Sequence, residues 1–340
     1  MTSEFAIQIE QWYNRHKRDL PWRQTTNPYY IWLSEIILQQ TRVEQGRAYY
    51  ERFVQTFPTV QDLASATEES VLLLWQGLGY YSRARNLHKA AQQIASLGTF
   101  PSDYKDILSL PGVGPYTAAA IASFAFGLPY AVLDGNVFRV LSRYFAIETP
   151  IDSTEGKKEF TALANELLDK KRPSLYNQAI MDFGAMVCKP SGAECDGCPL
   201  SDTCLAFAQE RVQQLPVKGK KMVQRVRHFS YVYVCTSKGE VLINRRESAD
   251  IWKGLYQFPL IETPEEFSLT SLQQQFPVGR WSLLKQGFVH QLTHQRLEVN
   301  FYKLELPYQD SSLQGIWVRE SELQNYAMPQ LLVKLLAYLR

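Results

Sequence analysis

Four cysteines within seventeen residues constrain this chain more than any other feature. Cys188, Cys195, Cys198 and Cys204 have the spacing C-x6-C-x2-C-x5-C in a chain of 340 residues with five cysteines. No signal-peptide pattern precedes them, so we expect reduced thiols that bind a metal rather than disulfides. A zinc ribbon usually pairs two C-x2-C knuckles and this segment has one, which favours a 4Fe–4S cluster over zinc. The third alternative is that the four are unrelated core cysteines. Cys235 stands alone in a strand-like run, and we interpret it as a small core residue.

The hydrophobic pattern changes near residue 208. Residues 1–207 show helical periodicity and no strand-like run. The residues that follow contain runs rich in Val, Tyr, Phe and Ile, typical of strands, and an amphipathic closing segment. These runs are Phe229 to Cys235, Glu240 to Asn244, Leu297 to Leu304 and Ile316 to Val318, and the closing helix is Met328 to Leu339. The pattern predicts an all-α half followed by an α+β half.

Several helix boundaries are marked in the first half. Asn27-Pro28 predicts a capped helix that continues to Thr41, and Arg83 to Leu97 has helical spacing. Thr67 and Ser102-Asp103 predict two further helix starts. The most apolar run, Pro115 to Leu133, is interrupted by Ser, Gly and Pro, which predicts a buried helix ending near Gly127 rather than a membrane span. We therefore expect a soluble cytoplasmic protein.

Charge alone does not identify a partner, because the net charge is only +2. The segment Leu215 to Arg227 has five basic residues and no acidic one. We interpret it as a linker. It could neutralise nucleic-acid phosphates, or it could be an ordinary solvated connector.

Gly112, Val113 and Gly114 lie between two predicted helices. Glycines permit a tight turn, and backbone N–H groups at a helix start form an anion site. We expect the amides around Val113 and Gly114 to point outward and to bind a DNA phosphate without reading sequence. An ordinary helix–turn–helix corner is the alternative.

Two carboxylates are predicted to lie in different environments. Glu35 shares a helix face with Ile31 and Leu38, so burial should raise its pKa and keep a proton at neutral pH. Asp134 precedes a new helix, where the helix N-terminus should keep it ionised. Such a pair suits N-glycoside cleavage, in which one acid protonates the leaving base and the other stabilises a cationic sugar. The alternatives are that Glu35 lies on a solvated helix face and that Asp134 is only an N-cap.

Together these features resemble the helix-hairpin-helix DNA glycosylase superfamily. The match runs from about Gln11 to Cys204, and the chain is most similar to the adenine DNA glycosylase (MutY) family, which removes adenine mispaired with 8-oxoguanine. Its motifs include Leu20-Pro21-Trp22-Arg23, Gly77 to Leu87 and Leu133 to Val137. The resemblance implies a multidomain protein: a catalytic domain at 1–207, a basic linker at 208–227 and an α+β Nudix-like domain at 228–340. Within the first, a six-helix barrel (28–135) and an iron–sulfur lobe (1–27 and 136–207) are implied.

The resemblance also implies residue roles. Glu35 would protonate adenine at N7 and later activate water, while Asp134 would stabilise or trap the oxocarbenium-like sugar. The other implied residues are Tyr116 and Asn136 in the catalytic pocket, Trp22, Arg23 and Gln178 around the flipped adenine, Gln40 and Tyr80 in the base stack, Gly112, Val113 and Gly114 on phosphate, and the four cysteines on one 4Fe–4S cluster. Members of the endonuclease III branch have a lysine in the second helix of the hairpin, whose amine attacks the sugar and permits strand cleavage. This chain has Tyr116 at that position, so the resemblance implies a monofunctional enzyme.

The second half resembles a Nudix fold without the Nudix metal box. Glu262, Glu265 and Glu266 lack the spacing of the box, so pyrophosphatase chemistry is not expected. Adenine glycosylases read 8-oxoguanine with a Phe-Ser-His loop, and Leu292-Thr293-His294 takes its place here. The resemblance implies that Thr293 and His294 bind the lesion. The alternative is that they are ordinary solvent-exposed residues of a loop.

The sequence thus leads to one functional hypothesis and leaves two alternatives open. The leading hypothesis is a monomeric enzyme that acts on duplex DNA with adenine opposite 8-oxoguanine or guanine, in the cytoplasm or at the nucleoid of a bacterium. A helix-hairpin-helix glycosylase for another lesion, and a non-catalytic iron–sulfur DNA-binding protein, are the alternatives. A Nudix hydrolase is disfavoured because the box is missing.

Overall fold

The computed structural model describes residues 3–219, 224–248, 250–264 and 269–339. The chain divides into two compact units. The first unit comprises Met1–Ala64 and Lys89–Lys220, and the second comprises Ser65–His88 and Lys221–Arg340. The predicted boundaries at 207 and 228 follow the change from helices to strands, and they stay a prediction.

Helices dominate the chain before residue 209, and no strand occurs among its described residues there. In chain order they are α1 (Glu4–His16), α2 (Pro28–Leu38), α3 (Val43–Thr56), α4 (Val60–Ser65), α5 (Glu68–Trp75), α6 (Ser82–Leu97), α7 (Tyr104–Leu108), α8 (Pro115–Phe126), α9 (Gly135–Tyr144), α10 (Thr154–Leu167), α11 (Pro173–Met186) and α12 (Leu205–Ala208). Short 3-10 turns lie at Pro21–Arg23 and Ser201–Thr203.

Side-chain caps explain where several helices begin. The Asn27 side chain accepts from the amide of Tyr29, and Pro28 supplies the first helical residue, as predicted. Thr67 caps α5 in the same way. Gly127, with a φ of 65°, ends α8, because glycine adopts the left-handed conformation freely. These local signals confirm the predicted starts of α2 and α5 and the end of α8.

The core of the first unit lies between α1, α8, α9, α10 and α11. Phe5 and Ile9 of α1 pack with Val137 and Leu141 of α9, and all four are at most 4% exposed. Gly184 of α11 allows a close approach of α9, because a Cβ at Gly184 would lie 2.7 Å from the Asn136 Cβ. The helix that carries Asn136 is therefore fixed against α11 by direct backbone packing.

The second unit contains a mixed sheet. Its strands are β1 (Arg225–Thr236), β2 (Glu240–Arg245), β3 (Tyr256–Gln257), β4 (Leu260–Thr263), β5 (Arg280–Gln291), β6 (Gln295–Leu306) and β7 (Ile316–Arg319). The order is β3-β2-β1-β6-β5, with β4 paired to β1 and β7 paired to β2. Strands β1 and β6 are parallel, whereas the remaining pairs are antiparallel.

Alternation along β1 builds a core on both faces of this sheet. Tyr231 and Tyr233 belong to one buried cluster, and Val232 and Val234 belong to the other. Successive side chains of a strand point to opposite faces, so both faces must be covered. On the Tyr231 face, α14 (Gln330–Leu335) contributes part of the cover, and α13 (Leu269–Gln273) contributes Leu272 to the other cluster.

Three predictions about elements need correction. Helix α2 ends at Leu38 rather than Thr41. Strand β1 begins at Arg225, inside the predicted linker, whose residues 220–223 lie outside the described part. Strand β5 was not predicted: it is mostly exposed and two irregularities break its register with β6, so its apolar residues do not alternate cleanly.

Candidate active site and cysteine loop

Glu35 lies in the middle of α2, on the wall of a cavity of about 190 Å³. Ile31 and Leu38 line the same cavity, which confirms the predicted shared face. Glu35 is only 6% exposed. Its pKa is raised to about 7, mainly by burial and also by the charge of nearby Asp134, while a hydrogen bond with Tyr116 and the charge of Arg23 oppose the rise. The carboxyl group can therefore exchange a proton at neutral pH, as predicted.

Asp134 is the N-cap of α9 and lines the same cavity. Its Oδ1 accepts the amides of Asn136 (2.9 Å) and Val137 (2.8 Å), and its Oδ2 accepts the Asn136 side-chain Nδ2 (2.8 Å). Burial raises the pKa of Asp134, and these hydrogen bonds oppose the change. The direction is opposite to the one that the N-cap alone predicts, because desolvation was left out of that prediction. The three donors nevertheless favour the ionised form.

Tyr116, at the start of α8, faces both carboxylates. Burial raises its pKa well above the ordinary value, and the charges of Glu35 and Asp134 act in the same direction. Its phenol therefore stays neutral and can donate a hydrogen bond within the cavity.

Trp22, Arg23 and Gln178 also line this cavity. The guanidinium of Arg23 binds the buried carboxylate of Asp182 at 2.5 Å, and Arg18 binds the same carboxylate. Burial raises the pKa of Asp182, but the hydrogen bonds and charges of Arg23 and Arg18 outweigh it and hold that pKa below its usual range. Arg23 is therefore held in a fixed position at the cavity wall.

Gln178 is held from two sides. The Tyr13 hydroxyl donates to its Oε1 at 2.9 Å, and its Nε2 donates to Ser174 Oγ at 3.0 Å. These contacts fix which end of the amide is oxygen and which is nitrogen. The structure thus brings all seven residues that were predicted for the catalytic and substrate pocket to one cavity.

The helix α9 connects this cavity with the cysteine loop. Arg139 donates to Asn136 Oδ1 (2.8 Å), to the Gly184 carbonyl (2.7 Å) and to the Cys188 carbonyl (2.6 Å). One turn later, Arg143 lies 3.4 Å from Cys188 Sγ and donates to carbonyls of the same loop. Both guanidinium groups are buried in these contacts.

The four clustered cysteines line a single small cavity. The pKa of Cys198 is raised to about 11, mainly by burial, and the other three thiols act in the same direction. The four cysteines therefore lie around one cavity. Within the described ranges, no three His, Cys, Asp or Glu side chains are arranged around a single metal ion.

The hairpin between α7 and α8 matches its prediction only in part. Gly112 has a φ of 77° and is exposed, as a tight turn requires. The amide of Val113, however, donates to the Leu110 carbonyl at 3.1 Å, and its side chain is buried. The expectation that this amide points outward was wrong, because the turn uses it internally. Gly114 is the N-cap of α8, at the start of the helix.

Gln40 and Tyr80 share an unusual backbone. Gln40 has a φ of 55° and Tyr80 a φ of 48°, and both side chains are exposed. Non-glycine residues in this region are strained and often mark functional sites. This backbone is a reason, separate from the resemblance, to consider Gln40 and Tyr80 as contact residues.

Thr293 and His294 form the loop between β5 and β6, and both are exposed. In the second unit they line a cavity with Tyr80, Arg85 and Trp252. The Tyr80 hydroxyl lies 2.5 Å from Thr293 Oγ1. The residue predicted to enter the base stack and a residue predicted to read the lesion are therefore neighbours.

Of the three acidic residues Glu262, Glu265 and Glu266, the structure describes only Glu262. Glu262 pairs with Arg227, which also binds Asp250. Glu265 and Glu266 lie outside the described residues.

Two family models match the chain. Residues 33–169 match the HhH-GPD superfamily base excision DNA repair protein, and residues 230–338 match the NUDIX domain. An adenine DNA glycosylase from Buchnera aphidicola (Acyrthosiphon pisum) is 30% identical over 341 residues, which is 98% of this chain and 96% of that protein. The adenine DNA glycosylase of Schizosaccharomyces pombe is 30% identical over 97% of this chain and 88% of its own.

The chain belongs to the adenine DNA glycosylase family. The human member is 44% identical over 226 residues, which is 63% of this chain and 41% of the human protein. The predicted family, enzyme class and two-part fold are thereby confirmed.

Solved structures agree with the fold of this adenine DNA glycosylase relative. A thermostable thymine-DNA glycosylase has a TM-score of 0.57 and 31% identity, covering 60% of this chain and 95% of that one. An endonuclease III–DNA complex has a TM-score of 0.53 and 23% identity, and the match covers 61% of this chain and 94% of the endonuclease chain. Among the described residues, no helix has the length and apolar character needed to cross a membrane.

Sequence reasoning missed three residues of this glycosylase family member. Asp182, Arg139 and Arg143 are buried charges that hold Arg23, Asn136 and the cysteine loop. A signal was available for Asp182, because it is an acid between apolar residues of a helix that contains Gln178. Charged residues in apolar helical stretches are rarely buried without a partner.

Proposed function

We propose that this enzyme hydrolyses the N-glycosidic bond of adenine that is paired with 8-oxoguanine or guanine in duplex DNA and leaves an abasic site. The observation that carries the proposal is the pair Glu35 and Asp134 in one cavity. The pKa of Glu35 is about 7, while Asp134 accepts three hydrogen bonds that favour its ionised form. Glycoside cleavage uses carboxyl groups that differ in this way.

Glu35 is the general acid. In its protonated form it donates to a ring nitrogen of the flipped adenine, so that the base leaves as a neutral molecule while the C1′–N9 bond breaks. The hydrogen bond from Tyr116 supports the carboxylate that results. The same carboxylate then removes a proton from the attacking water, which restores the acid.

Asp134 stabilises the positive charge that develops on the sugar. Asn136 is held by Arg139 at its oxygen, so its Nδ2 stays directed at Asp134 Oδ2. Trp22, Arg23 and Gln178 line the base side of the cavity, where the fixed amide of Gln178 suits the edge of a purine. Among the described residues that line this cavity there is no lysine, so we propose a monofunctional glycosylase without lyase activity.

Recognition of the opposite base is assigned to Thr293 and His294. Their exposed loop combines a hydroxyl that donates and accepts with an imidazole, next to the exposed ring of Tyr80. Gln40 and Tyr80 would fill the base stack after the adenine leaves, and the Gly112–Gly114 turn would bind a phosphate. The resemblance to adenine glycosylases supports this choice of lesion. We propose that the enzyme acts as a monomer in the cytoplasm, at the nucleoid if the source is bacterial.

The cysteine loop fits a 4Fe–4S cluster. Four thiolates suit either that cluster or zinc, and the segment has only one of the two C-x2-C knuckles that a zinc ribbon usually pairs. Cys188, Cys195, Cys198 and Cys204 would hold the cluster, which would cross-link the loop.

A single-turnover assay tests the proposal. The substrate is a duplex with one adenine opposite 8-oxoguanine, analysed with and without hot alkali. Strand breakage only after alkali is the expected result. Breakage without alkali would show lyase activity, and no breakage from cluster-loaded protein would refute adenine excision and favour another lesion, such as an oxidised pyrimidine or a mispaired thymine.

A further inference from the structure

We infer that Arg83 is a positioning residue that holds the turn Gly77–Tyr80 and presents the Tyr80 ring to DNA. The inference rests on the proposed function, because it assumes that Tyr80 enters the base stack. It adds a residue whose side chain acts through Tyr80 rather than on the DNA itself.

The turn before Arg83 has a backbone that needs external support. Gly77 has a φ of 102°, Gly79 of 73° and Tyr80 of 48°. Glycine adopts such angles freely, but tyrosine keeps them only where neighbouring groups hold the chain. The exposed ring of Tyr80 therefore depends on contacts that fix its backbone.

Arg83 supplies several of these contacts. Its Nη2 donates to the Gly79 carbonyl at 3.3 Å and approaches the Leu78 carbonyl at 3.5 Å, while its amide donates to the Tyr80 carbonyl at 2.9 Å. Trp75 Nε1 donates to the Gly79 carbonyl at 3.0 Å. The three successive carbonyls of the turn are thus bound to Arg83, directly beside the strained tyrosine.

The same guanidinium supports two aromatic rings. Its central carbon lies 5.0 Å from the centre of the Trp75 ring and 5.7 Å from that of the Tyr80 ring. Both distances are within the range of a cation–π contact. Burial lowers the pKa of Arg83 to about 10, which agrees with a guanidinium that is largely removed from water.

The far end of Tyr80 has a separate contact. Its hydroxyl lies 2.5 Å from Thr293 Oγ1, while 48% of the residue remains exposed. The ring is therefore held at its base by Arg83 and at its hydroxyl by Thr293, with its remaining surface available. A phosphate contact by Arg83 is the competing explanation, and it predicts a different response to salt.

A double-mutant cycle separates the two explanations. We would prepare R83Q, Y80A and the double variant, and measure their affinity for a duplex with a tetrahydrofuran abasic analogue opposite 8-oxoguanine. If Arg83 acts through Tyr80, R83Q weakens binding about tenfold alone and less than twofold when Tyr80 is already alanine, since coupled residues are non-additive. The slope of log affinity against log salt stays at the wild-type value.

The result that would overturn the inference is equally specific. If the affinity losses of R83Q and Y80A multiply in the double variant, Arg83 does not act through Tyr80. If the slope of log affinity against log salt is smaller by about 0.9 in R83Q, Arg83 contacts a phosphate directly. Lys89→Gln, which removes one charge from an exposed position of the same helix, is the matched control. R83K retains the positive charge without the planar guanidinium, so we expect its affinity for the duplex to stay below that of the wild type. If R83Q is not folded by circular dichroism, R83K carries the same cycle.

A separate assay on the same wild-type protein tests the proposed function. Wild-type protein is assayed for adenine excision opposite 8-oxoguanine. Absence of excision would refute the proposed chemistry, whereas the binding cycle would still decide the role of Arg83.

Discussion

Replacing Glu35 with glutamine should make the protein more stable at alkaline pH and much less active at neutral pH. In the folded protein the pKa of this carboxyl group is about 7, against an ordinary value of 4.5. Below pH 4.5 the group is protonated in both states. Above pH 7 it is charged in both states, but it is buried only in the folded one. The pKa difference of about 2.5 corresponds to a loss of about 3 kcal/mol of unfolding free energy as pH rises.

Glutamine has no charge to bury and nearly the same shape. The variant E35Q should therefore lack this loss, and its advantage over wild type should grow by about 2.5 kcal/mol between pH 5 and pH 8.5. Urea unfolding followed at 222 nm measures it, because the helical signal comes mainly from the catalytic half. Excision should fall at least about a hundredfold at neutral pH, since general acid catalysis contributes about 10² to 10⁴.

The control is Glu159→Gln, an exposed glutamate of α10. It should change neither the pH dependence of stability nor excision. Equal pH dependence in E35Q and wild type would mean that burial does not perturb Glu35 and would refute the reasoning. Retained turnover in E35Q would remove this residue from the mechanism, whatever its pKa.

Three further changes test other parts of the site. Asp134→Asn keeps an acceptor for the amides of α9 but removes the charge, so single-turnover excision should fall about a hundredfold or more while the thermal midpoint changes little. Gly184→Ala places a Cβ 2.7 Å from Asn136, so urea unfolding should show a loss of about 1 to 3 kcal/mol, together with slower excision. Thr293→Ala with His294→Ala should weaken the preference for 8-oxoguanine over guanine opposite adenine in competitive excision assays, and unchanged discrimination would place the reading elsewhere.

Much of the fold follows from local signals in the sequence. Asn27 and Thr67 fix helix starts by capping, and Gly127 ends α8, because these interactions involve only neighbouring residues. The pocket was predictable for a different reason. Glu35 lies on an apolar helix face, so its burial could be inferred from its neighbours in sequence, and the position of Asp134 before a helix predicted its N-cap contacts.

The rest depends on residues far apart in sequence. The raised pKa of Asp134 comes first from burial by other elements, which an N-cap pattern does not report. Strand β5 was missed because Gly287 and the register shifts interrupt its alternation. The Val113 amide was assigned to DNA because a turn hydrogen bond to Leu110 is not visible in the sequence.

The buried arginines of α9 connect the cysteine loop with the catalytic cavity. Arg139 and Arg143 are 8% and 2% exposed, and both donate to carbonyls of the loop that begins at Cys188. A buried guanidinium without acceptors is strongly destabilising. If the loop is not folded, Arg139 loses one of its acceptors while it still contacts Asn136, the residue that directs an amide at Asp134. The position of Asn136 is therefore energetically linked to an ordered cysteine loop through the side chain of Arg139.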